Sequence, residues 1–266
     1  MSSRFIPAVG DPQNKLLAGL PAFDWKRVKR YLSVLETPAG ETLCELESRL
    51  DYAYFPTTSI ISVRDVANDG ASTEVATIGN EGVVGVSLIL GGGITANRVV
   101  VQSDGQVYRL KREILQEEFS RGGAMQHLLL RFTHALLAQI SQMAVCNRRH
   151  SIDQQVCRWL LMSLDRLASN ELTMTHEMLA NTLGVRREGV TEAAHKLQSA
   201  GFIAYRRGRI TVLDRIGVEG CSCECYRVMR REYDRPPRPH LYAIDPTPLE
   251  PGAAHPCSGR SQLEIA

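Results

Sequence analysis

Leu179-Ala180-Asn181-Thr182-Leu183-Gly184-Val185-Arg186-Arg187-Glu188-Gly189-Val190 places a small residue, Ala180, four positions before a glycine, Gly184, and an apolar residue six positions after that glycine. This spacing suits two short helices packed across a tight turn. Ala180 lets the second helix approach closely, and Gly184 can take the positive φ that ends the first helix. Leu179, Leu183, Val185, Val190 and Ala193 then fall on the inward faces. The pattern is that of a helix-turn-helix, whose second helix lies in the DNA major groove. Phe202-Ile203-Ala204-Tyr205 and Arg209-Ile210-Thr211-Val212-Leu213 read as two strands around the basic turn Arg206-Arg207-Gly208, which adds a wing.

The spacing predicts Thr175 as the N-cap of the first helix, with Glu177 in the first turn where the helix dipole favours an anion. The second helix is predicted over about 186–200. Its outward residues near the start are Arg186, Arg187, Thr191 and Glu192, with Glu188 and His195 beside them. Arginine can donate two hydrogen bonds to guanine, and glutamate can accept from cytosine N4. Arg206, Arg207 and Arg209 on the wing can reach phosphates, which position a domain without reading sequence. The competing interpretation is a solvated charged face on a helical hairpin.

Upstream of this unit the pattern changes twice. From about residue 33 to 110 the chain shows short β-runs, including Tyr52-Ala53-Tyr54-Phe55, Ser59-Ile60-Ile61-Ser62-Val63, Glu74-Val75-Ala76-Thr77-Ile78 and Val99-Val100-Val101. Turn residues such as Asn68-Asp69-Gly70 and Gly91-Gly92-Gly93 separate them, as in a small antiparallel barrel or jelly roll. Near Gly123 a long helix begins. Met125, Leu129, Phe132, Leu136, Ile140 and Met143 form an apolar stripe, and Leu128, Leu137 and Ala144 widen it. A helix packed only on its own domain satisfies the stripe. Its width and its place between two domains favour a helix that also pairs with a second subunit, through Leu129, Phe132, Leu136, Ile140 and Met143. Another helix is predicted over about 151–168 and a basic one over 225–233.

The predicted fold is therefore α+β: a β-roll sensor over 1–122, a dimerisation helix over 123–149, a winged helix-turn-helix over 150–235, and a Pro-rich flexible tail over 236–266. Composition fits a soluble globular chain, 44% hydrophobic and 23% charged. A net charge of +2 is too small to signal a nucleic-acid partner, so any such field comes from local clustering. The longest uncharged apolar run, 82–97, is interrupted by glycines and falls short of the roughly 20 residues of a membrane span. No secretory signal opens the chain, and seven irregularly spaced cysteines do not form a disulfide framework. A reducing cytoplasm is the expected compartment. There is no phosphate loop, nucleophile elbow or paired-histidine helix, so no enzyme is expected.

The arrangement resembles the Crp/Fnr family of bacterial transcription regulators. Val185-Arg186-Arg187-Glu188-Gly189-Val190 and Gly208-Arg209-Ile210-Thr211-Val212-Leu213-Asp214-Arg215 carry the likeness in the second half. Tyr54-Phe55-Pro56-Thr57-Thr58-Ser59 and Glu74-Val75-Ala76-Thr77-Ile78-Gly79 carry it in the first, and it spans about 12–235. The resemblance implies a homodimer on double-stranded DNA with an inverted-repeat operator, and contact with RNA polymerase.

Three departures limit what carries over. The family's recognition helix often presents an arginine, an adjacent glutamate and a second arginine one turn on. Arg187 and Glu188 match, Glu192 replaces the second arginine, and Arg186 replaces a common capping serine. Cyclic-AMP-binding members hold the ribose with a glutamate after a glycine and the phosphate with an arginine-serine pair. Here Gly82-Val83-Val84-Gly85 has valine at the glutamate position, and Arg98 has no serine neighbour. A buried phosphate would lack compensation, so cyclic AMP is not expected and the effector is left unassigned. Iron–sulfur members carry an N-terminal cysteine cluster, whereas the first cysteine here is Cys44; His127 and His134 read as ordinary helix residues rather than haem ligands. No cofactor or metal is expected.

Cys221-Ser222-Cys223-Glu224-Cys225 suggests the alternative of a thiol- or metal-gated regulator. If the segment is helical, only Cys221 and Cys225 share a face, and no histidine or fourth cysteine lies nearby in sequence. Structural burial is the reading preferred here, also for Cys146 and Cys157. A further alternative is a sensor whose winged domain makes only protein contacts.

Overall fold

A computed structural model describes residues 11–235 apart from Asp69 and Ala71. The tail expected over 236–266 lies outside the described residues.

Helices α1 (Lys15–Ala18) and α2 (Ala22–Val28) open the described chain. Asn14 anchors them. Its carboxamide oxygen accepts from the Leu17 N–H, while its buried NH2 donates to the carbonyls of Pro56 and Gly82 at 2.8 and 2.9 Å. Seven strands follow: β1 (Ser33–Thr37), β2 (Thr42–Cys44), β3 (Tyr52–Pro56), β4 (Ile60–Val66), β5 (Ser72–Ile78), β6 (Arg98–Ser103) and β7 (Gly105–Lys111). They form two antiparallel sheets, in the orders β1-β7-β3 and β2-β6-β4-β5. The β-runs expected from sequence fall in β3, β4, β5 and β6. Leu17, Phe55, Ile61, Val83, Val107 and Leu110 are among the fully buried residues that fill the space between the sheets. Helix α3 (Arg112–Ser120), which the sequence reading did not identify, closes the roll; its buried Glu118 accepts two hydrogen bonds from Arg27 Nε and one from Nη2, at 2.6–3.1 Å.

Helix α4 (Ala124–Arg149) is shared by two hydrophobic cores. Met125, Leu128, Leu129 and Phe132 belong to the core of the roll, whereas Met143 and Cys146 belong to a second core built from the C-terminal elements. Of the five residues expected to pair with a second subunit, Ile140 is exposed and the other four turn towards the chain's own cores. Leu129, Phe132 and Met143 are buried against their own chain, and Leu136 is half-buried. At 100° per residue they lie on one side of the helix. Leu130, Leu137 and Ala144 lie on the opposite, exposed side, with Ile140 and Val145 at its edges. The stripe that periodicity detected is thus inward except at Ile140, and Leu137 and Ala144, which widen it, are exposed. α4 has the length and hydropathy of a membrane-crossing helix, but one face packs into these two cores.

The second core is built on α5 (Ile152–Leu164), which starts with a capping box between Ser151 and Gln154. Then come β8 (Glu171–Thr173), α6 (His176–Leu183), α7 (Arg187–Ser199), β9 (Ile203–Arg206), β10 (Arg209–Val212), α8 (Arg215–Cys221) and α9 (Glu224–Asp234). The wing is a three-stranded antiparallel sheet, β8-β10-β9, with one strand more than the sequence suggested.

Gly82 shows how closely roll and long helix approach. A Cβ placed there would overlap the ring of Phe132. Gly82→Ala must displace that ring, at a cost of about 1–3 kcal/mol. Gly220→Ala, with nothing within 4 Å of the added Cβ, should leave the melting temperature unchanged or higher. Thermal denaturation of the two variants checks the contrast.

Candidate nucleic-acid interface and the junction behind it

The helix-turn-helix is assembled by local backbone chemistry. Thr175 accepts from the Met178 N–H at 3.1 Å and caps α6. Gly184 takes φ +67° and ends it, and its N–H and that of Val185 both reach the Ala180 carbonyl. Leu179, Ala180 and Leu183 of α6 bury against Val190, Ala193, Ala194 and Leu197 of α7. Arg186 stands at the N-cap of α7 and makes no side-chain cap bond. A Cβ on Gly189 would meet Ile152 Cδ1 at 2.5 Å, so this glycine lets α7 lie close to α5.

All nine residues that the sequence offered for DNA contact are exposed: Arg186, Arg187, Glu188, Thr191, Glu192 and His195 at the start and along the outer side of α7, and Arg206, Arg207 and Arg209 on the wing. Their neighbours distinguish them. Among the described residues no ion pair engages Arg186, Arg206 or Arg207. Arg187 faces Glu177 at a loose 3.8 Å, and Arg209 faces Glu171 at 3.5 Å. Glu192 is held by Lys196 at 3.0 Å, one turn along the helix. The Thr191 hydroxyl donates to the Arg187 carbonyl, so it accepts from His176 Nδ1 at 3.0 Å, which fixes the proton on that ring nitrogen. The His176 ring stacks on Tyr205, with centroids 4.2 Å apart, and so ties α6, α7 and the wing together. Burial, then the nearby Arg187 charge, lowers the His176 pKa. At the wing tip Arg207 and Gly208 both have positive φ, 51° and 75°. This is the two-residue hairpin geometry that ordinarily selects asparagine or glycine, yet an arginine occupies it.

Behind this face, β5 of the roll touches the DNA-binding unit. Thr73 lies against Gly184, where an added Cβ would be 3.1 Å from Thr73 Cγ2. Gln102 Nε2 donates to Ser163 Oγ of α5 at 3.4 Å. Arg166 is buried and ion-paired to Glu81 at 2.8 Å, and it also donates to the carbonyls of Met162 and Thr77. Glu74 is fully enclosed and accepts from Ser62 and Thr77 hydroxyls, each at 2.6 Å.

The cysteine triplet differs from expectation. The segment is not one helix: α8 ends at Cys221, Ser222 is extended, and Cys223 is the N-cap of α9. Cys221 is exposed, while Cys223 and Cys225 turn inward towards Cys146 and His150 at the end of α4. The four donor atoms lie within 4.8 Å of one another. A hydrogen bond from the Cys146 thiol to Cys223 sulfur lowers the Cys223 pKa and raises that of Cys146. Sequence reasoning found no histidine or fourth cysteine because 77 residues separate Cys146 from Cys223. The only local signal was the Cys146–His150 spacing, which places both on one helix face.

The roll does not suit the ligand its architecture suggests. Val83 and Val84 are buried in the apolar core, and Arg98 is a half-buried strand residue paired with Glu45 at 2.8 Å. Neither set offers the polar, converging donors that a cyclic phosphate requires, so these residues do not fit a cyclic nucleotide.

A β-roll joined by a long helix to a winged helix-turn-helix defines a DNA-binding regulator of the cyclic-nucleotide-binding-domain type. Residues 34–121 match the family model for a cyclic nucleotide-binding domain, and residues 154–219 match that for a Crp-like helix-turn-helix domain. The chain belongs to the Crp/Fnr family of transcription regulators. Similar solved structures include FixK2 from Bradyrhizobium japonicum, 18% identical over 72% of this chain and 98% of that chain, with a TM-score of 0.63. A transcriptional regulator of the Crp/Fnr family from Eubacterium rectale is 18% identical over 79% and 98%, with a TM-score of 0.62. One from Thermus thermophilus is 19% identical over 71% and 98%, at 0.57. No curated protein matches the chain.

Burial raises the Glu74 pKa, against the two hydroxyl hydrogen bonds and the charges of Arg64 and Arg158. A raised carboxyl contributes stability that is fully present below its unfolded pKa and is lost as pH rises through the folded value. Glu74→Gln keeps hydrogen-bonding capacity without a charge to desolvate. It should be at least as stable as wild type at neutral pH and lose less stability between acid and neutral pH, as read by denaturant titration across that range.

Proposed function

We propose that the protein is a homodimeric, cytoplasmic, sequence-specific regulator that reads an inverted-repeat operator with paired α7 helices and contacts RNA polymerase from DNA. The observation that carries this reading is the single exposed surface formed by the start of α7 and the wing, where Arg186, Arg206 and Arg207 have no ion-pair partner among the described residues. Arg187 and Glu188 are the base readers. Arg206, Arg207 and Arg209 act on phosphates. Thr191 and Glu192, engaged by His176 and Lys196, set the helix surface more than they read bases, and His195 lies further along α7. The bland charged-face alternative accounts less well for an arginine held at positive φ on the wing tip.

The dimer seam is the exposed side of α4, centred on Leu130, Leu137 and Ala144 with Ile140 at its margin. An apolar strip of this kind is costly in water and is covered well by its own symmetry mate. The roll acts as sensor or scaffold for an effector other than a cyclic nucleotide, a reading supported by buried Val83 and Val84 and by the Arg98–Glu45 pair.

Two experiments test these assignments. Leu137→Glu should place an unpaired charge in the seam and weaken the dimer by several kcal/mol while leaving the monomer folded, because Leu137 is exposed in the chain. Leu129→Glu, in the core, should instead unfold it. Sedimentation with circular dichroism separates the two, and a Leu137→Glu dimer as tight as wild type removes the seam.

For DNA, fragments selected from a random pool supply the operator, and the two half-sites should lie about 34 Å apart. Arg187→Ala should lose about 1–3 kcal/mol and relax preference at one position in each half-site. Arg206→Ala and Arg207→Ala should weaken all sequences alike and flatten the salt dependence. Unchanged binding in all three variants would leave the winged domain as a protein-contact module.

A further inference from the structure

We propose that Cys146, His150, Cys223 and Cys225 bind a zinc ion that fastens the end of the long helix α4 to the start of α9. Each residue turns one ligand atom to a common point, and the four atoms lie within 4.8 Å of one another. Tetrahedral zinc, with Zn–S of about 2.3 Å and Zn–N of about 2.0–2.1 Å, requires S···S edges of about 3.8 Å and S···N edges of about 3.5 Å. The Cys146 and Cys223 sulfurs are 3.5 Å apart, and Cys225 sulfur is 3.4 Å from His150 Nδ1. Closing the set around an ion therefore needs side-chain adjustment rather than a change of fold. Four protein ligands leave no open position, which is the pattern of a structural rather than a catalytic zinc site.

The surroundings match a ligand set as well as the ligands do. His150 presents Nδ1 to the thiols, and its Nε2 faces Glu224 Oε1 at 3.3 Å. A carboxylate on the far ring nitrogen orients a metal-bound histidine and fixes its tautomer. Gln142 Nε2 lies 3.1 Å from Cys225 sulfur and donates to it, as donors beside metal-bound thiolates do. Three cysteines lose their protons to solvent on binding, so the ion and its ligands carry one net negative charge. Arg158 answers that charge. It is buried, its Nε and Nη2 have no hydrogen-bond partner among the described residues, and its charge reaches Cys146 as well as Glu74. An unpartnered guanidinium in a core is costly unless a nearby anion compensates it.

The site has a mechanical consequence. Cys146 and His150 occupy the last turn of α4 and the residue after it, just before the chain turns into α5. Cys223 and Cys225 begin the final helix of the winged domain. The ion would cross-link segments more than 70 residues apart at the joint where that domain hangs from the long helix. Binding needs only the folded chain, not DNA, so it succeeds or fails independently of the operator assignment.

The test uses the full-length protein, purified without metal-affinity steps, then stripped with chelator and titrated with Co2+ and Zn2+. One equivalent of Co2+ per chain should give thiolate-to-cobalt charge-transfer bands and the visible bands of tetrahedral cobalt, and Zn2+ should displace it. Cys223→Ser and Cys225→Ser should abolish the stoichiometric spectrum, whereas Cys221→Ser and Cys44→Ser should keep it. Glu224→Ala, an exposed change that spares folding, should weaken zinc by about tenfold or more. A wild-type chain that is folded, has all thiols free and gives no tetrahedral cobalt spectrum overturns the site. So does a Cys146–Cys223 disulfide recovered by non-reducing peptide mapping from protein that takes up no metal, which would assign the pair to redox chemistry.

Discussion

Everything in this chain depends on one helix being buried along one side by two different cores. α4 contributes Met125, Leu128, Leu129 and Phe132 to the roll and Met143 and Cys146 to the winged half. A rigid helix of 26 residues is about 39 Å long. Any rotation of the roll about its N-terminal turns is therefore carried to the DNA-binding half by the same rod. Gly82 marks the tightest point of that contact, since Phe132 occupies the space a side chain would need.

Polar groups set the angle at which the halves meet. Hydrophobic contact alone tolerates sliding, but a buried ion pair with satisfied hydrogen bonds has one geometry. Glu81 of the roll pairs with Arg166 after α5. Gln139 of α4 donates to the Thr77 carbonyl and accepts from the Tyr233 hydroxyl of α9, at 3.3 and 2.5 Å. Roll, long helix and winged domain thus share one network. The thiol and imidazole cluster lies at the other side of the same joint, where α9 meets the last turn of α4. Both arrangements converge on α9, which the sequence presents only as a basic helical stretch. Its inward residues Cys225, Tyr226 and Met229 are what bind it to the second core.

Chemistry within the winged domain sorts residues that look alike in sequence. Arg186, Arg187, Arg206, Arg207 and Arg209 form one basic group by composition. In three dimensions Arg209 leans on Glu171 and Arg187 only loosely on Glu177, and Arg207 sits in a backbone conformation that disfavours it. Thr191, which its position offers as a base contact, is occupied by His176 and the Arg187 carbonyl. A side chain's availability depends on neighbours as well as on its own chemistry.

The sequence alone determined what is local. Gly184 at positive φ, Thr175 as a cap, the apolar spacing of α6 and α7 and the alternation of the roll strands are short-range constraints, and each is found where the spacing put it. Tertiary structure decided what depends on distant partners. Periodicity located an apolar stripe on α4 but could not say whether its own chain or a second copy covers it; the roll and the second core claim Leu129, Phe132 and Met143, leaving Leu130 and Leu137 outside. A third wing strand, β8, arises because Glu171–Thr173 pairs with β10 across more than 30 residues. Cys146 and His150 meet Cys223 and Cys225 only because α9 returns to the end of α4. Pattern within a window records the period of a helix or strand, whereas a four-ligand cluster records where the chain folds back on itself.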